Sequence, residues 1–177
     1  MKTIKIKDKE FRLTISEKEV IRAVNEVAVQ INKDLANENP LFICVLNGAF
    51  MFASDLIKLI NFPCEITFIK LSSYQGLYST GAVKEIIGLN ESVVGRNVVI
   101  IEDIVDTGVT MERILESLSS KGVASVKIAT FLQKPDALQR NITVDYVGVK
   151  IPNEFIVGYG LDYDGYGRNL KEIYTVI

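Results

Sequence analysis

Apolar runs that alternate with helical segments constrain the fold of this chain more than any other feature of its sequence. The run LFICVL (41–46) has no polar residue, and NVVIIEDI (97–104) and SVKIATFLQK (125–134) are further strand-like segments. Continuous apolar runs are typical of parallel strands that are buried on both faces of a sheet. Helical stretches at 51–60 and 109–120 follow the first two runs. The sequence therefore predicts an α/β fold with an open, mainly parallel sheet flanked by helices.

Three more segments extend this pattern. CEITFIKL (64–71) and VDYVGVKI (144–151) are predicted strands, and EIYTVI closes the chain. Before the first strand, Ser16 and Glu19 form a capping-box pattern, and apolar residues then recur at helical spacing up to Leu35. In open α/β sheets ligands bind beyond the carboxyl ends of the strands, so we expect the turns that follow these strands to meet at one site.

Length and composition set further limits. With 177 residues, of which 48% are hydrophobic, we expect a single domain over 1–177. The apolar runs are too short to cross a bilayer and the N-terminus has no signal-peptide core, which predicts a cytoplasmic protein without a membrane partner. The net charge of −2 argues against a nucleic-acid partner, because such binding usually needs a basic face. The chain has no histidine, so proton transfer and metal binding fall to carboxylates, lysine or tyrosine.

The segment VVIIEDIVDTGVT (98–110) carries most of the functional information. An apolar strand runs into three acids, Glu102, Asp103 and Asp106, and a Thr-Gly-x-Thr turn then opens a helix. Such a turn presents backbone N–H groups and hydroxyls to a phosphate. The three carboxylates would repel that phosphate unless a divalent cation or sugar hydroxyls lie between them, so they indicate a ribose, a magnesium ion or both. The alternative is that they are solvated loop acids and that Thr107 is a helix cap.

This string resembles the phosphoribosyl pyrophosphate motif of the type I phosphoribosyltransferases, which combines an apolar strand, two acids and a D-T-G-x-T turn. Other segments resemble the hypoxanthine-guanine branch, in the family's order: CVLNGAFMF (44–52), LSSYQG (71–76), FLQKPDAL (131–138) and IPNEFIVGYGLDYDGYGRNL (151–170). The resemblance implies a small hood and a mobile loop beside the sheet. It also implies a Mg2+-dependent purine salvage enzyme that transfers the 5-phosphoribosyl group from phosphoribosyl pyrophosphate to hypoxanthine or guanine, giving IMP or GMP and pyrophosphate.

The resemblance implies roles for the residues around the acids. Glu102 and Asp103 would hold the ribose hydroxyls and help to position a magnesium ion. Asp106 would accept the proton of purine N7, as the catalytic residue, and the turn from Asp106 to Thr110 would wrap the 5-phosphate. The substrate-binding residues of this segment would be Glu102, Asp103, Ile104, Val105, Asp106, Thr107, Gly108, Val109 and Thr110.

For the purine, the resemblance implies four residues from later in the chain. Lys134 would donate a hydrogen bond to the 6-oxo group, and Phe155 would stack on the ring. The backbone of Ile156 and Asp162 would read the other purine edge, and the Asp162 side chain would bind a second magnesium ion. Lys134 could otherwise be a solvated strand end, and Phe155 a core aromatic.

For the pyrophosphate, the resemblance implies Arg168 together with the backbone of Asn47 and Gly48. The family often carries a basic residue where this chain has Asn47, so backbone N–H groups would do most of the binding there. Ser73 and Tyr74 would belong to a mobile lid. The polar segment SSYQGLYSTGAVKEIIG (72–88), which is too long for a tight turn, agrees with such a lid.

Two other functions stay open at this point. The first is a ligand-sensing regulator that keeps this fold and binds nucleic acid, but the sequence has neither a basic face nor an appended helix-turn-helix. The second is a transferase for another base, such as xanthine, adenine or orotate. Lys134 and Phe155 favour a 6-oxopurine and do not rank hypoxanthine, guanine and xanthine. Family resemblance suggests a homodimer or a homotetramer.

Overall fold

The computed structural model of the chain describes residues 2–73, 83–89 and 91–177, which form three α-helices and ten strands. In chain order the elements are β1 (Thr3–Ile6), β2 (Lys9–Ile15), α1 (Glu17–Leu35), β3 (Leu41–Leu46), α2 (Phe50–Ile57), β4 (Glu65–Ser73), β5 (Val83–Ile87), β6 (Asn97–Val105), α3 (Val109–Ser120), β7 (Ser125–Gln133), β8 (Tyr146–Lys150), β9 (Ile156–Val157) and β10 (Ile173–Val176). Within the described ranges, none of the helices combines the length and apolar character needed to span a membrane.

Six of the strands form one sheet in the order β5-β4-β3-β6-β7-β8. The pairs β3–β4, β3–β6, β6–β7 and β7–β8 are parallel, and only the edge strand β5 is antiparallel to its neighbour. The predicted open, mainly parallel sheet is therefore confirmed. Because β3 and β6 are neighbours, the turns that follow them lie side by side at the carboxyl edge.

The two faces of this sheet are covered by different helices, which explains the continuous apolar runs. In β6, Val99 and Ile101 pack with α1 and α2 on one face, whereas Val98 and Ile100 pack with α3 on the other. Each of these four side chains is at most 1% exposed. Successive side chains of a strand point to opposite faces, so a strand covered on both sides must be apolar at every position.

Helix α1 begins and packs as the sequence predicts. The Ser16 side chain accepts a hydrogen bond from the Glu19 N–H, and the Glu19 carboxylate accepts one from the Ser16 N–H at 2.8 Å, which completes the capping box. The apolar face predicted from the spacing is buried against the sheet; it comprises Val20, Val24, Val27, Ile31 and Leu35. Helix α3 also has the predicted bounds, 109–120.

Four strands form a separate antiparallel sheet in the order β1-β2-β10-β9, which we call the hood. Phe11, Val157 and Tyr174 form its small core. The chain's last segment is a strand, as predicted, but it pairs with β2 and β9 in the hood rather than with the main sheet. The loop between β9 and β10 returns from the hood towards the carboxyl edge of the main sheet and carries Asp162 and Arg168.

Candidate active site

A cleft of about 530 Å³ opens where β3 and β6 end, between the first turn of α3 and the loop after β9. The predicted site residues that line it are Gly48, Glu102, Asp103, Ile104, Val105, Asp106, Thr107, Gly108, Val109, Thr110, Asp162 and Arg168. Arg113, one turn into α3, lines it too, although no sequence pattern points to that residue. The predicted residues Asn47, Lys134, Phe155 and Ile156 do not line the cleft.

The turn after β6 is shaped for an anion. Gly108 has a left-handed backbone (φ +83°) and precedes the first residue of α3. A Cβ there would lie 3.0 Å from the Leu138 side chain and 3.1 Å from Ile142, so the segment after β7 packs directly behind the turn. The Gln139 N–H also donates to the Thr107 carbonyl at 2.9 Å. A braced turn that ends in a helix N-terminus has the geometry and the partial positive charge of a phosphate site.

Glu102 and Asp103 form a pair of adjacent acids at the floor of the cleft. Glu102 is 7% exposed and accepts a hydrogen bond from the Asp103 N–H at 3.1 Å, and Asp103 accepts one from the Ile104 N–H at 2.7 Å. Burial raises the pKa of both carboxyls above their ordinary range, and the charge of Asp103 raises that of Glu102 further. A cation or a set of hydroxyl donors in the cleft would relieve this unfavourable charge.

The acid pair fits a magnesium ion that is shared with a substrate. Magnesium prefers oxygen ligands and is often held by one or two carboxylates together with substrate phosphates. Over the described ranges, no group of three or more His, Cys, Asp or Glu side chains is arranged to hold a metal alone. In a magnesium site here, Glu102 and Asp103 would supply only part of the oxygen coordination shell, and phosphate and ribose oxygens would complete it.

The turn after β3 touches the acid pair through a glycine. Strand β3 ends at a cis peptide bond between Leu46 and Asn47, and Asn47 itself is exposed. A Cβ on Gly48 would overlap the Asp103 carboxylate, and a Cβ on Gly160 would overlap the Gly48 carbonyl. Gly48, Asp103 and Gly160 are distant in sequence and meet at one point. They can approach this closely because Gly48 and Gly160 have no side chains.

Arg168 supplies positive charge at this meeting point. One guanidinium nitrogen lies 2.6 Å from the Asp162 carboxylate and another donates to the Gly160 carbonyl at 2.7 Å. Its charge also favours the ionised form of Asp103, an effect smaller than that of burial on the Asp103 pKa. Asp162, predicted to bind a second metal ion, is therefore paired with the predicted pyrophosphate ligand.

Lys134 reaches the site from β7 through an ion pair with Asp106. The Lys134 ammonium lies 2.8 Å from the Asp106 carboxylate and 3.5 Å from the amide oxygen of Asn153, and Lys134 is 7% exposed. Two of the residues with predicted roles at the purine, Lys134 and Asp106, are thus direct partners. Asn153 is a neighbour that the sequence does not single out, because an asparagine after a proline is typical of any turn.

Phe155 directly precedes the hood strand β9 and lies two residues after Asn153. It is 47% exposed, and the centroid of its ring lies 6.4 Å from that of Phe11 and 5.9 Å from that of Tyr163, with the Tyr163 ring edge-on. Ile156 follows in β9 and is buried. An aromatic ring that is supported by two others and half exposed can offer a free surface for stacking.

The lid prediction falls mainly on residues that the structure does not describe. Ser73 is the last residue of β4, and only its backbone is described. Tyr74 lies outside the described residues, as does most of the segment that follows it.

Comparisons with known proteins identify the family of this chain. Residues 14–164 match the sequence model of the family described as "Phosphoribosyl transferase domain". A hypoxanthine-guanine phosphoribosyltransferase of Streptococcus thermophilus is 42% identical over 163 residues, which cover 92% of this chain and 91% of that protein. A protein of the same name from Aquifex aeolicus is 36% identical over 173 residues, 97% of each chain.

A solved structure leads to the same family. The crystal structure of a hypoxanthine phosphoribosyltransferase from Staphylococcus aureus superposes with a TM-score of 0.88 at 41% identity, covering 94% of this chain and 91% of that one. The chain therefore belongs to the phosphoribosyltransferase family, in its hypoxanthine-guanine branch.

Proposed function

We propose that this protein transfers the 5-phosphoribosyl group of phosphoribosyl pyrophosphate to hypoxanthine or guanine, giving IMP or GMP and pyrophosphate. The observation that carries this proposal is the buried acid pair, Glu102 and Asp103, placed between a helix N-terminus and Arg168. A ribose with phosphate groups at both ends needs these three features in this order.

Each part of the sugar phosphate has a match in the cleft. The 5-phosphate would lie at the N-terminus of α3, where the Asp106–Thr110 turn encloses it. The ribose hydroxyls would donate hydrogen bonds to Glu102 and Asp103. The pyrophosphate would lie against Arg168 and the turn at Gly48.

We propose that Glu102 and Asp103 hold one Mg2+ ion and that the Asp162 side chain holds a second. When bound, these ions would neutralise negative charge on pyrophosphate as the bond to the leaving oxygen breaks. To bind the metal, the Asp162 carboxylate would give up its 2.6 Å contact with Arg168. The guanidinium, still bonded to the Gly160 carbonyl, would then present to pyrophosphate the N–H groups that Asp162 releases.

The reaction breaks the bond between ribose C1 and the pyrophosphate oxygen and joins C1 to a purine ring nitrogen. The ribose passes through a state with oxocarbenium character while the leaving oxygens gain negative charge, which Arg168 stabilises. The Asp106 carboxylate accepts the proton that purine N7 loses. Stacking on Phe155 would hold the purine plane in line with C1.

Selection of the base would depend on Lys134. An ammonium group has donors and no acceptor, so it pairs with a 6-oxo oxygen and meets a second donor in the 6-amino group of adenine. Because Lys134 is 7% exposed, water cannot readily compensate for the mismatch. Sites built around one hydrogen-bonding partner reject analogues that lack it by about 10⁴–10⁵.

We propose further that the chain folds as a single domain over 1–177 and acts in the cytoplasm as a homodimer or homotetramer. Ile66 and Phe68 support self-association: they point to the α2 side of β4 yet are 38% and 42% exposed. The net charge of −2 supports an enzyme without nucleic-acid partners. Light scattering on the purified protein measures the assembly directly, and a monomer at all concentrations would contradict it.

The proposed function is tested by turnover with phosphoribosyl pyrophosphate, magnesium and a panel of hypoxanthine, guanine, xanthine, adenine and orotate. With hypoxanthine and with guanine, we expect one pyrophosphate to be released for each nucleotide formed. Excess EDTA should abolish turnover and added magnesium should restore it. No turnover with any 6-oxopurine would contradict the function, and full activity in EDTA would contradict the metal site.

A further inference from the structure

Three successive residues of the loop after β9 have left-handed backbones. Gly158 has φ +107°, Tyr159 +48° and Gly160 +99°. Glycine adopts this region freely, but a residue with a large side chain does so at a cost in free energy. Tyr159 therefore needs compensating contacts to stay in this conformation.

The backbone of this turn holds the pyrophosphate end of the cleft together. The Gly160 N–H donates to the Arg168 carbonyl at 3.0 Å, and the Gly160 carbonyl accepts from the Arg168 guanidinium at 2.7 Å. Gly160 also packs against the Gly48 carbonyl so closely that a Cβ would not fit. A change in the shape of the turn would move Arg168 and Gly48 relative to each other.

The Tyr159 side chain anchors the turn to helix α2. Tyr159 is 3% exposed, and its ring lies 4.8 Å, centroid to centroid, from that of Phe131. Its hydroxyl donates to the Asp55 carboxylate at 2.8 Å. Burial, together with this hydrogen bond, raises the pKa of the Tyr159 hydroxyl, so it remains a donor at physiological pH. Asp55 lies on α2, the helix that follows directly from the turn at Gly48.

We propose that the Tyr159–Asp55 hydrogen bond is a strut that sets the distance between Arg168 and Gly48, and that Tyr159 is a positioning residue for pyrophosphate. The strut joins the only two loops that the proposed function assigns to pyrophosphate, and the inference rests on that function. A phenyl ring would fill the same space against Phe131. The hydroxyl adds a directed hydrogen bond from the turn to α2 beyond the apolar packing of the ring, so its loss should affect the alignment of the two loops more than their packing.

The chain provides a matched control. Tyr146 is 2% exposed, and its hydroxyl donates to the Asp34 carboxylate at 3.3 Å, joining β8 to α1 away from the cleft. Tyr159→Phe should raise KM for phosphoribosyl pyrophosphate, and the dissociation constant of pyrophosphate itself, by roughly tenfold, the effect expected from losing one hydrogen bond to a charged group. KM for hypoxanthine should stay within about twofold, because Lys134 and Phe155 are not attached to the strut. Tyr146→Phe should change none of the three constants.

Substitutions at the acceptor test the strut from its other end. Asp55→Ala should match Tyr159→Phe, and the double variant should be no worse than either single one, because both remove the same bond. Asp55→Asn keeps an oxygen acceptor and should recover most of the affinity. Asp55 also forms an ion pair with Lys58 at 2.7 Å, and an Asp55 variant loses that contact as well. Lys58→Ala removes the ion pair alone and should leave KM for phosphoribosyl pyrophosphate unchanged.

The outcomes separate this inference from the proposed function. A wild-type protein without turnover and without pyrophosphate binding would refute the function. If the wild type is active and Tyr159→Phe has the same constants as Tyr146→Phe, the strut is refuted. The strut is also refuted if the loss of affinity for pyrophosphate in the Tyr159→Phe, Asp55→Ala double variant is the product of the two single losses. If Tyr159→Phe does not fold, Asp55→Ala and Asp55→Asn decide the question, since the Asp55 side chain is 43% exposed.

Discussion

Adding one methyl group at Gly48 should disable the cleft without disturbing the backbone. Gly48 does not have a positive φ, so alanine is sterically acceptable to the main chain. The new Cβ would overlap one oxygen of the Asp103 carboxylate and lie 2.5 Å from its carboxyl carbon. The carboxylate must then rotate away, which breaks its 2.7 Å hydrogen bond from the Ile104 N–H.

The size of the effect follows from that hydrogen bond. A hydrogen bond to a charged group contributes about 1.5–3 kcal/mol, and each 1.36 kcal/mol is about a tenfold change in rate. We therefore expect Gly48→Ala to lower kcat/KM for phosphoribosyl pyrophosphate by about 10- to 200-fold. The same free energy would lower Tm by about 3–12 °C in a protein of this size.

The assay is steady-state kcat/KM at saturating hypoxanthine and magnesium, with Tm measured in parallel. Gly95→Ala is the matched control, because Gly95 has φ +69° but none of the described atoms beyond its chain neighbours lies within 4 Å of its would-be Cβ. It should lose about 1–2 kcal/mol of stability through backbone strain and keep its activity. A Gly48→Ala enzyme within about twofold of wild-type kcat/KM would refute the steric argument, since that argument requires Asp103 to move.

Three further predictions concern the ionisable residues. Asp106→Asn should lower kcat by about 10²–10⁴, because an amide cannot take the N7 proton; near wild-type kcat would reduce Asp106 to a loop residue. Lys134→Gln should lower kcat/KM for hypoxanthine and guanine and narrow the gap to adenine, since glutamine can also accept a hydrogen bond; an unchanged ratio would contradict this role. Burial raises the pKa of Glu102 above its ordinary 4.5, so the folded protein holds that proton more tightly than the unfolded chain does. The free energy of unfolding therefore falls as pH rises from about 4.5 through the raised pKa. Glu102→Gln should thus raise Tm at pH 8 without magnesium while abolishing turnover, and an equal or lower Tm would refute the burial cost.

The main sheet could be predicted because its signal is local. Ile100 and Ile101 are both fully buried, yet they point to opposite faces of β6. Only a strand covered on both sides needs two such neighbours, so the run itself indicates a parallel sheet between helices. The capping box of α1 is equally local, since Ser16 and Glu19 satisfy each other within one turn.

The strand pairing of the hood could not be predicted from local sequence patterns, because the hood strands are short and β2 carries several charged residues. The strand β2, KEFRLTI, buries only Phe11 and Ile15, and its charged residues face outwards. Its partner β10 lies at the far end of the chain, with Tyr174 opposite Leu13. Strand preferences depend on the neighbours that tertiary structure provides, so neither segment identifies its sheet alone.

In the cleft, too, some features could be predicted from local sequence and others depend on tertiary contacts. The acids and the phosphate turn follow one another in sequence, so their chemistry can be inferred from their order. The contact of Gly48 with Asp103 and Gly160, and the hydrogen bond from Tyr159 to Asp55, join residues from separate loops. Such contacts depend on how closely two backbones approach, and a glycine in a turn is typical of many structures besides this one.

The ion pairs of the cleft link base recognition to proton transfer. Lys134 pairs with Asp106, whereas over the described residues no ion pair joins Glu102 to a cation. In the proposed reaction, one N–H of the Lys134 ammonium stays on Asp106 while another donates to the 6-oxo oxygen, because an ammonium group has three donors. That ammonium is buried and gains little from water, so each of its donors needs an acceptor from the protein or the base. A 6-oxopurine therefore binds the same ammonium that holds the Asp106 carboxylate, whereas adenine presents it with an amino donor.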